Sequence, residues 1–591
     1  MSEVRGDGRR PWWRTPLADW FPLIREREEQ VFLGLALAIG AITGLAVVAF
    51  ILLTEKLGMR LYPVGSVGWR RGLIPVFGSI GMGYLLFRYF PNARGSGVPQ
   101  TKAALFAGGG RITFRTVFGK FFCTSATLAC GIPLGREGPS VQVGGGIASL
   151  LGRSLGLSTE KVKALIPAGA AAAIAAAFNT PLAAVLFALE EIVGDLHAPV
   201  LGSVVLASGA AWLVLRLLLG NHPLFQVPAY KLLHASELGL YAVLGLLGGL
   251  LSAAFTKVLT GLRLGFLNLP RRTLWFQPVA GGIVVGLAGF FVPQVLGVGY
   301  GYVGEALNSN MALKLMALLL VLKFVAVTVS YASGNAGGIF APSLFLGAML
   351  GGTLGGIAHH FLPQSTATSG AYALVGMGTL FAGIVRAPMT SVLMIFETTQ
   401  DYAVIVPLMI SNLISFFVSS RLQREPIYEV LASQDGIHLP THAVRERPAK
   451  RQVKSVMRPS EENLASSMSA ESALAFVRAS RFASWPVCDE ERLIGMVSRS
   501  ALEGAAKAAS SPALAEIVGR GAFPHLHSDQ PLSLALERLG ESGLDRLPVV
   551  SRADVHQMQG VVSLSDVLGG YGVATNSANR IQGAIGLDGS A

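Results

Sequence analysis

A single acidic residue, Glu137, stands between glycines in an otherwise apolar stretch of this 591-residue chain. Its motif, GREGP at residues 135–139, ends in a proline that is typical of the first position of a helix. An ionisable side chain at membrane depth is costly, so its presence indicates an ion or substrate pathway. We therefore predict that Glu137 lies at a helix start on such a pathway. The alternative is an interfacial ion pair with Arg136.

Two further glycine-rich motifs could bind an anion. In GSGVP (95–99) the glycines can expose backbone N–H groups and the Ser96 hydroxyl at the start of a helix beginning near Gln100, unless the motif is a plain tight turn. In GGIFAP (337–342) Phe340 takes the place of the carboxylate. If two helix N-termini point at one place, each adds roughly half a positive charge there, which helps to compensate a dehydrated anion.

The second of these motifs repeats the Glu137 motif. GREGPS at 135–140 aligns with GIFAPS at 338–343 at an offset of 203 residues, and PLAAVLFALE at 181–190 aligns with PMTSVLMIFE at 388–397 at an offset of 207. Two matches in the same order at nearly one offset predict a duplicated unit of about 200 residues. Duplicated membrane proteins commonly build the substrate site between their halves from broken helices.

The composition indicates a membrane protein. Only 14% of the side chains are charged and 51% are hydrophobic, and the mean hydropathy is +0.53. Several stretches without Asp, Glu, Lys or Arg are long enough to span about 30 Å of hydrocarbon: 31–54, 164–189, 238–256, 278–303, 324–385 and 402–420. The first is expected to be a retained span, since no signal-peptide features precede it. Glycine clusters in these stretches, which predicts closely packed and broken helices.

The net charge of +12 does not indicate nucleic-acid binding, because no basic stripe interleaved with aromatic residues is present. The arginines near the start and the basic residues after Arg421 are instead typical of cytoplasmic flanks. Cys123, Cys130 and Cys488 have neither metal-ligand spacing nor a disulfide framework, so we expect no metal site and no required cofactor.

A second duplication follows in the polar C-terminal part. The stretches WPV at 485–487 and GMVS at 495–498 recur as LPV at 547–549 and GVVS at 560–563, and amphipathic helix patterns at 473–480 and 532–539 precede the two copies. This β-α-β pattern resembles a tandem of CBS domains. Asp566 resembles the residue that contacts the ribose of adenine nucleotides, whereas the first copy has Ala501 there. At most one nucleotide site is implied, and a structural or dimerising role is the alternative.

The membrane motifs together resemble the CLC family of chloride channels and proton-coupled chloride transporters. The motifs that carry the resemblance, in family order, are GSGVP at 95–99, GREGP at 135–139, FNTPLAAVLFALEE at 178–191, GIFAP at 338–342 and PIY at 426–428. The resemblance implies a chloride ion held by the hydroxyls of Ser96 and Tyr428 and by the backbone N–H groups of Ile339 and Phe340. It also implies that Glu137 is the gating glutamate.

Two positions bear on which anion is transported and on whether protons are exchanged for it. At position 96 this chain resembles chloride-preferring members of the family, because it carries Ser there. Nitrate-preferring members carry Pro and fluoride exporters carry Met at the matching position. Glu191 matches the inner proton-transfer glutamate and favours a proton/chloride antiporter; a passive voltage- or pH-gated chloride channel with the same anion site is the alternative. We expect Glu191 to lie on a helix from Pro181 to near Gly194 and to meet cytoplasmic water. Lys102 departs from the acid that many bacterial members carry.

The predicted architecture is an all-α polytopic membrane core of two internal repeats, expected to be inverted and built from broken helices, with a cytoplasmic α/β CBS tandem behind it. The expected divisions are a cytoplasmic segment 1–30, the core 31–433 with repeats at about 31–220 and 235–433, a linker 434–454, CBS domains at 455–508 and 512–573, and a tail 574–591. The resemblance further implies a homodimer in the inner membrane, with both termini cytoplasmic and with chloride, protons and lipid as partners.

Two other classes of function fit less well. A membrane-embedded hydrolase would use Glu190 with Glu191 or a serine, but the sequence has no HExxH pair and no suitable Ser/His arrangement, so no enzyme is expected. A divalent-cation carrier regulated by the CBS pair would need acids on several membrane helices. Glu137, Glu190, Glu191 and Glu397 are too few, and they lie beside glycine-rich anion motifs.

Overall fold

The structure is a computed structural model that describes residues 28–571 with internal gaps. The gaps are 64–66, 197–199, 221–223, 226, 228–235, 401, 438, 440–451, 491, 508–510 and 519–522. The chain divides into two compact units, Met1–Leu439 and Pro440–Ala591. Most of the expected N-terminal segment and linker, and the whole of the tail, lie outside the described residues.

The first unit is helical throughout its described part. The helices of its first half are α1 (Glu28–Leu61), α2 (Gly68–Arg88), α3 (Val98–Phe106), α4 (Phe114–Ala129), α5 (Glu137–Ser154), α6 (Thr159–Phe178), α7 (Pro181–Phe187) and α8 (Leu201–Leu219). Those of its second half are α9 (Glu237–Leu267), α10 (Pro278–Phe291), α11 (Tyr300–Leu307), α12 (Leu313–Ala332), α13 (Phe340–Phe361), α14 (Ser369–Val385), α15 (Pro388–Thr399), α16 (Ile405–Leu422) and α17 (Ile427–Gln434).

Within the part of the chain that the structure describes, seven helical segments are long and apolar enough to cross a bilayer. Several shorter helices stop inside the unit, as the glycine content predicts. The helix from Pro181 is one of these: after Phe187 it continues as a π-helical turn, Ala188–Val193, and it ends at Gly194 in the left-handed conformation. The predicted end of this helix is confirmed, but its π-helical turn was not foreseen.

Glycine allows an equivalent close helix contact in each half. A Cβ atom added to Gly144 on α5 would lie 2.1 Å from the carbonyl oxygen of Gly169 on α6, so only glycine fits there. The same clash, at 2.2 Å, arises between Gly347 on α13 and the carbonyl oxygen of Gly376 on α14. These two pairs are related by the 203- and 207-residue offsets of the sequence repeat. Close backbone approach is the common way in which membrane helices associate.

Two helix starts differ from the sequence predictions. The helix expected near Gln100 begins two residues earlier, at Val98, and the Gln100 side chain accepts a hydrogen bond of 2.8 Å from the Gly97 N–H. The helix expected from Pro139 begins at Glu137, so the acid is the first helical residue instead of a loop residue. At Val98 the Gln100 side chain satisfies a backbone N–H at the helix start, which lets the helix start early.

The second unit contains two small α/β modules, each with a three-stranded sheet. Their elements in chain order are β1 (Leu464–Ala465), α18 (Ala470–Phe476), β2 (Ser484–Asp489), β3 (Arg492–Ser498), α19 (Arg499–Ala506), α20 (Leu514–Val518), β4 (Leu526–His527), α21 (Leu532–Ser542), β5 (Arg546–Val550), β6 (Met558–Ser563) and α22 (Leu564–Gly570). In each sheet the first pair of strands is parallel and the second is antiparallel.

Two details of this unit bear on its repeat. Gly560 lies inside β6, and the turn into α22 is made by Ser563, which caps the helix. Val453, expected in the linker, is fully buried in the core of the second module. Its backbone N–H donates to Gln530 O at 2.9 Å, so the second module is completed by residues that precede the first.

Candidate anion site and gate

The starts of two repeat-related helices meet in the middle of the first unit. α5 begins at Glu137 and α13 at Phe340, and both residues are fully buried. Just before them, Gly135 and Gly338 exchange two backbone hydrogen bonds, each 2.7 Å long. The bonds tie the two helix N-termini together, so both halves direct the positive ends of their helix dipoles to one place.

Glu137 lies at this junction. Its Oε1 accepts a hydrogen bond from the Tyr300 hydroxyl and lies 4.0 Å from Arg136 Nε. Its carboxylate also lies within interaction range of the backbone N–H of Ala341 at the start of α13. Arg136 is itself buried, as Glu137 is.

The hydroxyls of Ser96 and Tyr428 lie beside the same junction. A Cβ atom added to Gly138 would lie 2.7 Å from Ser96 Oγ, which places this hydroxyl against the first turn of α5. Tyr428, at the start of α17, is close enough to Ser96 to interact with it. Both side chains are fully buried, and neither hydroxyl has a well-formed hydrogen bond to another described residue. Buried donors of this kind are satisfied when a ligand accepts from them.

Aromatic rings enclose Phe340. Its ring centroid lies 5.0 Å from that of Phe178, 5.6 Å from Phe187 and 4.4 Å from Phe381. Ile339, immediately before it, is also fully buried. The side chains of this segment thus form an apolar wall, and the polar groups that the segment offers are backbone N–H groups at a helix start.

Two buried lysines hold the turns that border the junction. Lys120 donates to the carbonyl oxygens of Ala93 at 3.1 Å and Gly95 at 2.5 Å, and so fixes the turn that carries Ser96. Lys323 does the same in the second half, donating to Val295 O at 3.0 Å and Gly297 O at 2.8 Å. The sequence analysis missed both, although two lysines in apolar helices at the 203-residue offset were a readable signal.

Glu191 is not placed as the sequence predicted. It lies in the π-helical turn after α7, its side chain is only 7% exposed, and its Oε1 is 2.8 Å from Lys102 Nζ on α3. The expectation of a carboxylate that meets water is wrong. Lys102, noted only as a departure from relatives, is its ion-pair partner, and the ammonium is equally buried.

Glu190 and Glu397 cap each other's helices. Glu190, near the end of the helix from Pro181, accepts from the backbone N–H groups of Met389 and Thr390 at the start of α15. Glu397, near the end of α15, accepts from the N–H groups at the start of α7, at residues 182 and 183. Both carboxylates are therefore occupied by helix N-termini, which leaves them unsuited to the hydrolase or cation-carrier alternatives.

Asp566 belongs to the second unit and is already engaged. It forms a capping box with Ser563 at the start of α22, and its Oδ1 lies 2.7 Å from Arg458 Nε. A cavity of about 560 Å³ adjoins this pair. Its lining residues are Ser455, Val456, Met457, Arg458, Ser565, Asp566, Gly569 and Gly570.

Comparison with known proteins gives matches to both units. The family described as voltage gated chloride channel matches residues 77–420, and the CBS domain family matches 453–506 and 516–571. The H(+)/Cl(-) exchange transporter ClcA of Vibrio campbellii is 34% identical over 355 residues, which cover 59% of this chain and 76% of the relative. ClcA of Vibrio cholerae is 33% identical over 354 residues, with the same coverage.

Solved structures agree with these matches. A slow cyanobacterial Cl-/H+ antiporter superimposes with a TM-score of 0.63 at 27% identity, covering 68% of this chain and 97% of that one. A eukaryotic CLC transporter superimposes with a TM-score of 0.59 over 90% of this chain and 97% of that one, and at 19% identity it shows likeness of fold.

Proposed function

The chain belongs to the voltage-gated chloride channel family, here called CLC, and from that premise we propose that it exchanges chloride for protons across a membrane. The relatives described as H(+)/Cl(-) exchangers support chloride transport and favour exchange over passive conduction. The observation that carries the proposal is the junction of α5 and α13, where two helix N-termini, two buried hydroxyls and one carboxylate come together.

In this proposal chloride binds where Ser96, Tyr428 and the N–H groups of Ile339 and Phe340 converge. The hydroxyls are donors without well-formed partners, and the helix N-termini supply partial positive charge without a titratable cation. An anion held by neutral donors is bound less tightly than one paired directly with a full positive charge, so it can leave again. That balance suits a site that must release its ion on either side.

Glu137 acts as the gate because its carboxylate is itself an anion at the same helix N-termini. When ionised, it competes with chloride for these donors. When protonated, it loses most of that attraction and moves away, so that chloride binds in its place. The ionised carboxylate and chloride thus exchange positions, and protonation of Glu137 controls the exchange, which couples the movement of chloride to that of protons.

Glu191 passes protons between this gate and the cytoplasmic side. It lies in the π-helical turn after α7 and is not itself one of the proposed anion ligands. Its ion pair with Lys102 means that the carboxylate must break a buried contact before it takes up a proton. We expect this step to slow turnover relative to a transporter that lacks the lysine.

Simultaneous recording of chloride and proton flux in proteoliposomes tests the proposal. With no proton gradient imposed, chloride leaving the vesicles down its gradient should drive protons into vesicles that contain the wild-type protein. Glu137→Gln keeps the size of the side chain but cannot titrate, so it should carry chloride at a rate independent of pH and move no protons. Wild-type chloride flux without any proton movement would favour the passive channel instead, and proton movement in Glu137→Gln would contradict the gate assignment.

The proposal extends to assembly and location. As in the family, we infer a homodimer with one pathway in each subunit, in the inner membrane, with both termini in the cytoplasm. Analytical ultracentrifugation in detergent tests the dimer. Protease access to the CBS unit in right-side-out and inverted vesicles tests the orientation.

The cavity beside Asp566 supports a second, regulatory role for the CBS pair, the binding of an adenine nucleotide. Arg458 supplies a cation at the cavity. Asp566 would contact the ribose of the nucleotide once its ion pair with Arg458 is broken. Calorimetry of the full-length protein with ATP, ADP and AMP should give heat that Asp566→Ala abolishes. Asp529→Ala, which removes an exposed partner of Arg552 in the same unit, is the matched control. No heat at millimolar nucleotide would leave a structural or dimerising role.

A further inference from the structure

We propose that Tyr300 holds the ionised Glu137 in its closed position and thereby sets the pH at which the gate opens. The inference rests on the proposed role of Glu137. It assigns Tyr300 as a positioning residue of the gate, and the contact that carries it is the hydrogen bond from the Tyr300 hydroxyl to Glu137 Oε1.

The Tyr300 ring is held in place by two further contacts. The guanidinium carbon of Arg136 lies 5.4 Å from the ring centroid, in cation–π range. The ring of Phe225 packs edge-on against it, with 5.9 Å between centroids. The ring is thus fixed by contacts that do not involve the hydroxyl, and the hydroxyl is aimed at the carboxylate.

The backbone turn before Tyr300 is also held in place. Gly297 and Gly299 have φ values of 62° and 87°, which favour glycine. A Cβ atom added to Gly299 would lie 2.7 Å from the ring of Phe345. Lys323 clamps this turn through its bond to Gly297 O, and α11 starts directly after it, with Tyr300 as its first residue.

This turn is the second-half copy of the turn that carries Ser96. Gly95 and Gly97 also have positive φ values, 80° and 105°, and they precede Gly297 and Gly299 by 202 residues. In the first half the lysine-held turn presents a hydroxyl between its glycines, at Ser96. In the second half that position is Val298, and the turn presents a hydroxyl just after its glycines, at Tyr300. Each copy therefore delivers one hydroxyl to the junction, one to the anion site and one to the gate.

The chemistry of the bond makes it selective for the closed gate. A hydroxyl donates more strongly to a carboxylate than to a neutral carboxylic acid. The bond to Tyr300 consequently stabilises the ionised gate and weakens when Glu137 is protonated. Without the hydroxyl, Glu137 should accept its proton at a higher pH and open more readily near neutral pH.

The test is the pH dependence of chloride flux in proteoliposomes that contain the full-length protein. Tyr300→Phe retains the ring and both of its packing contacts, so the fold should persist, and an unchanged melting temperature checks this. We expect the pH of half-maximal flux to rise by about one to two units, the effect of losing one hydrogen bond to a charged group. Tyr302→Phe, two residues further along α11, is the matched control and should give the wild-type profile.

The outcomes separate this inference from the proposal beneath it. If Glu137→Gln abolishes the pH dependence and Tyr300→Phe keeps the wild-type midpoint, the role of Tyr300 is overturned while the gate assignment stands. If Glu137→Gln keeps the pH dependence, the gate assignment fails and the role of Tyr300 with it. The double variant should match Glu137→Gln alone, and any additional pH shift in it would show that Tyr300 acts on another group.

Discussion

The two halves of the membrane core share their supports and differ in their reactive side chains. Both halves have a glycine pair at a close helix contact and a buried lysine that clamps a glycine turn. Both have a left-handed residue before the short helix that begins with proline, Asn179 in one half and Arg386 in the other. Both contribute a glutamate that caps the other half's helix.

The positions that differ are those assigned to transport. Ser96 is matched by Val298, Glu137 by Phe340 and Glu191 by Thr398, each at the offset of its part of the repeat. A duplicated chain thus provides an internal control: we expect a residue kept in both halves to support the fold, and the polar residues assigned to transport to act in one half only. Four predictions test this division, beginning with the largest expected effect.

Removing either buried lysine should destabilise the protein to a similar extent. Lys120→Met and Lys323→Met each leave two buried carbonyl oxygens without their donor, which should lower the free energy of unfolding by about 2–5 kcal/mol. Thermal unfolding in detergent measures this, and the exposed Lys314 at the start of α12, replaced by Met, is the control. If one lysine variant unfolds at the wild-type temperature and the other does not, the two lysines do not play equivalent roles in the two halves.

Glu191 and its repeat counterpart should differ sharply in proton flux. Glu191→Gln should reduce chloride-driven proton flux by about 100-fold or more and leave appreciable chloride flux, because the anion ligands are untouched. Thr398→Val, at the equivalent place, should leave both fluxes unchanged. If Glu191→Gln still couples fully, the proton route runs elsewhere, even if exchange itself is observed.

Anion selectivity should depend on Ser96 and not on Val298. Ser96→Pro removes one hydroxyl donor to a charged ligand, worth roughly 1.5–3 kcal/mol, and should raise nitrate transport relative to chloride transport. Val298→Ala should leave the ranking as it is. Competitive flux assays with the two anions measure the ratio, and an unchanged ratio in Ser96→Pro would remove Ser96 from the anion site.

The capping glutamates should produce the smallest effects, and equal ones. Glu190→Ala and Glu397→Ala each remove a side chain that accepts from two backbone N–H groups at a helix start, at a cost of about 0.5–2 kcal/mol in stability. The number of protons moved per chloride should remain that of the wild type. A loss of coupling in one variant alone would mean that its glutamate does more than cap a helix.

Much of this protein is readable from the sequence because the informative patterns are local. The membrane class follows from composition, the duplication from two aligned motifs, and the helix starts from glycine and proline within a few residues of one another. The family and the candidate anion ligands follow from the same motifs. Even the errors in helix starts, at Val98 and Glu137, amount to two residues.

The partners of the reactive groups were decided only by tertiary structure. Tyr300 meets Glu137 across 163 residues of sequence, and Lys102 meets Glu191 across 89. Neither pair shares a motif, a period or the repeat offset, so no local pattern relates its members. Their contact depends on how separate helices pack, and glycine permits the close approach of helix backbones on which that packing depends. The sequence therefore determines which groups are candidates to bind an anion or a proton, while the packing determines which neighbour contacts each group.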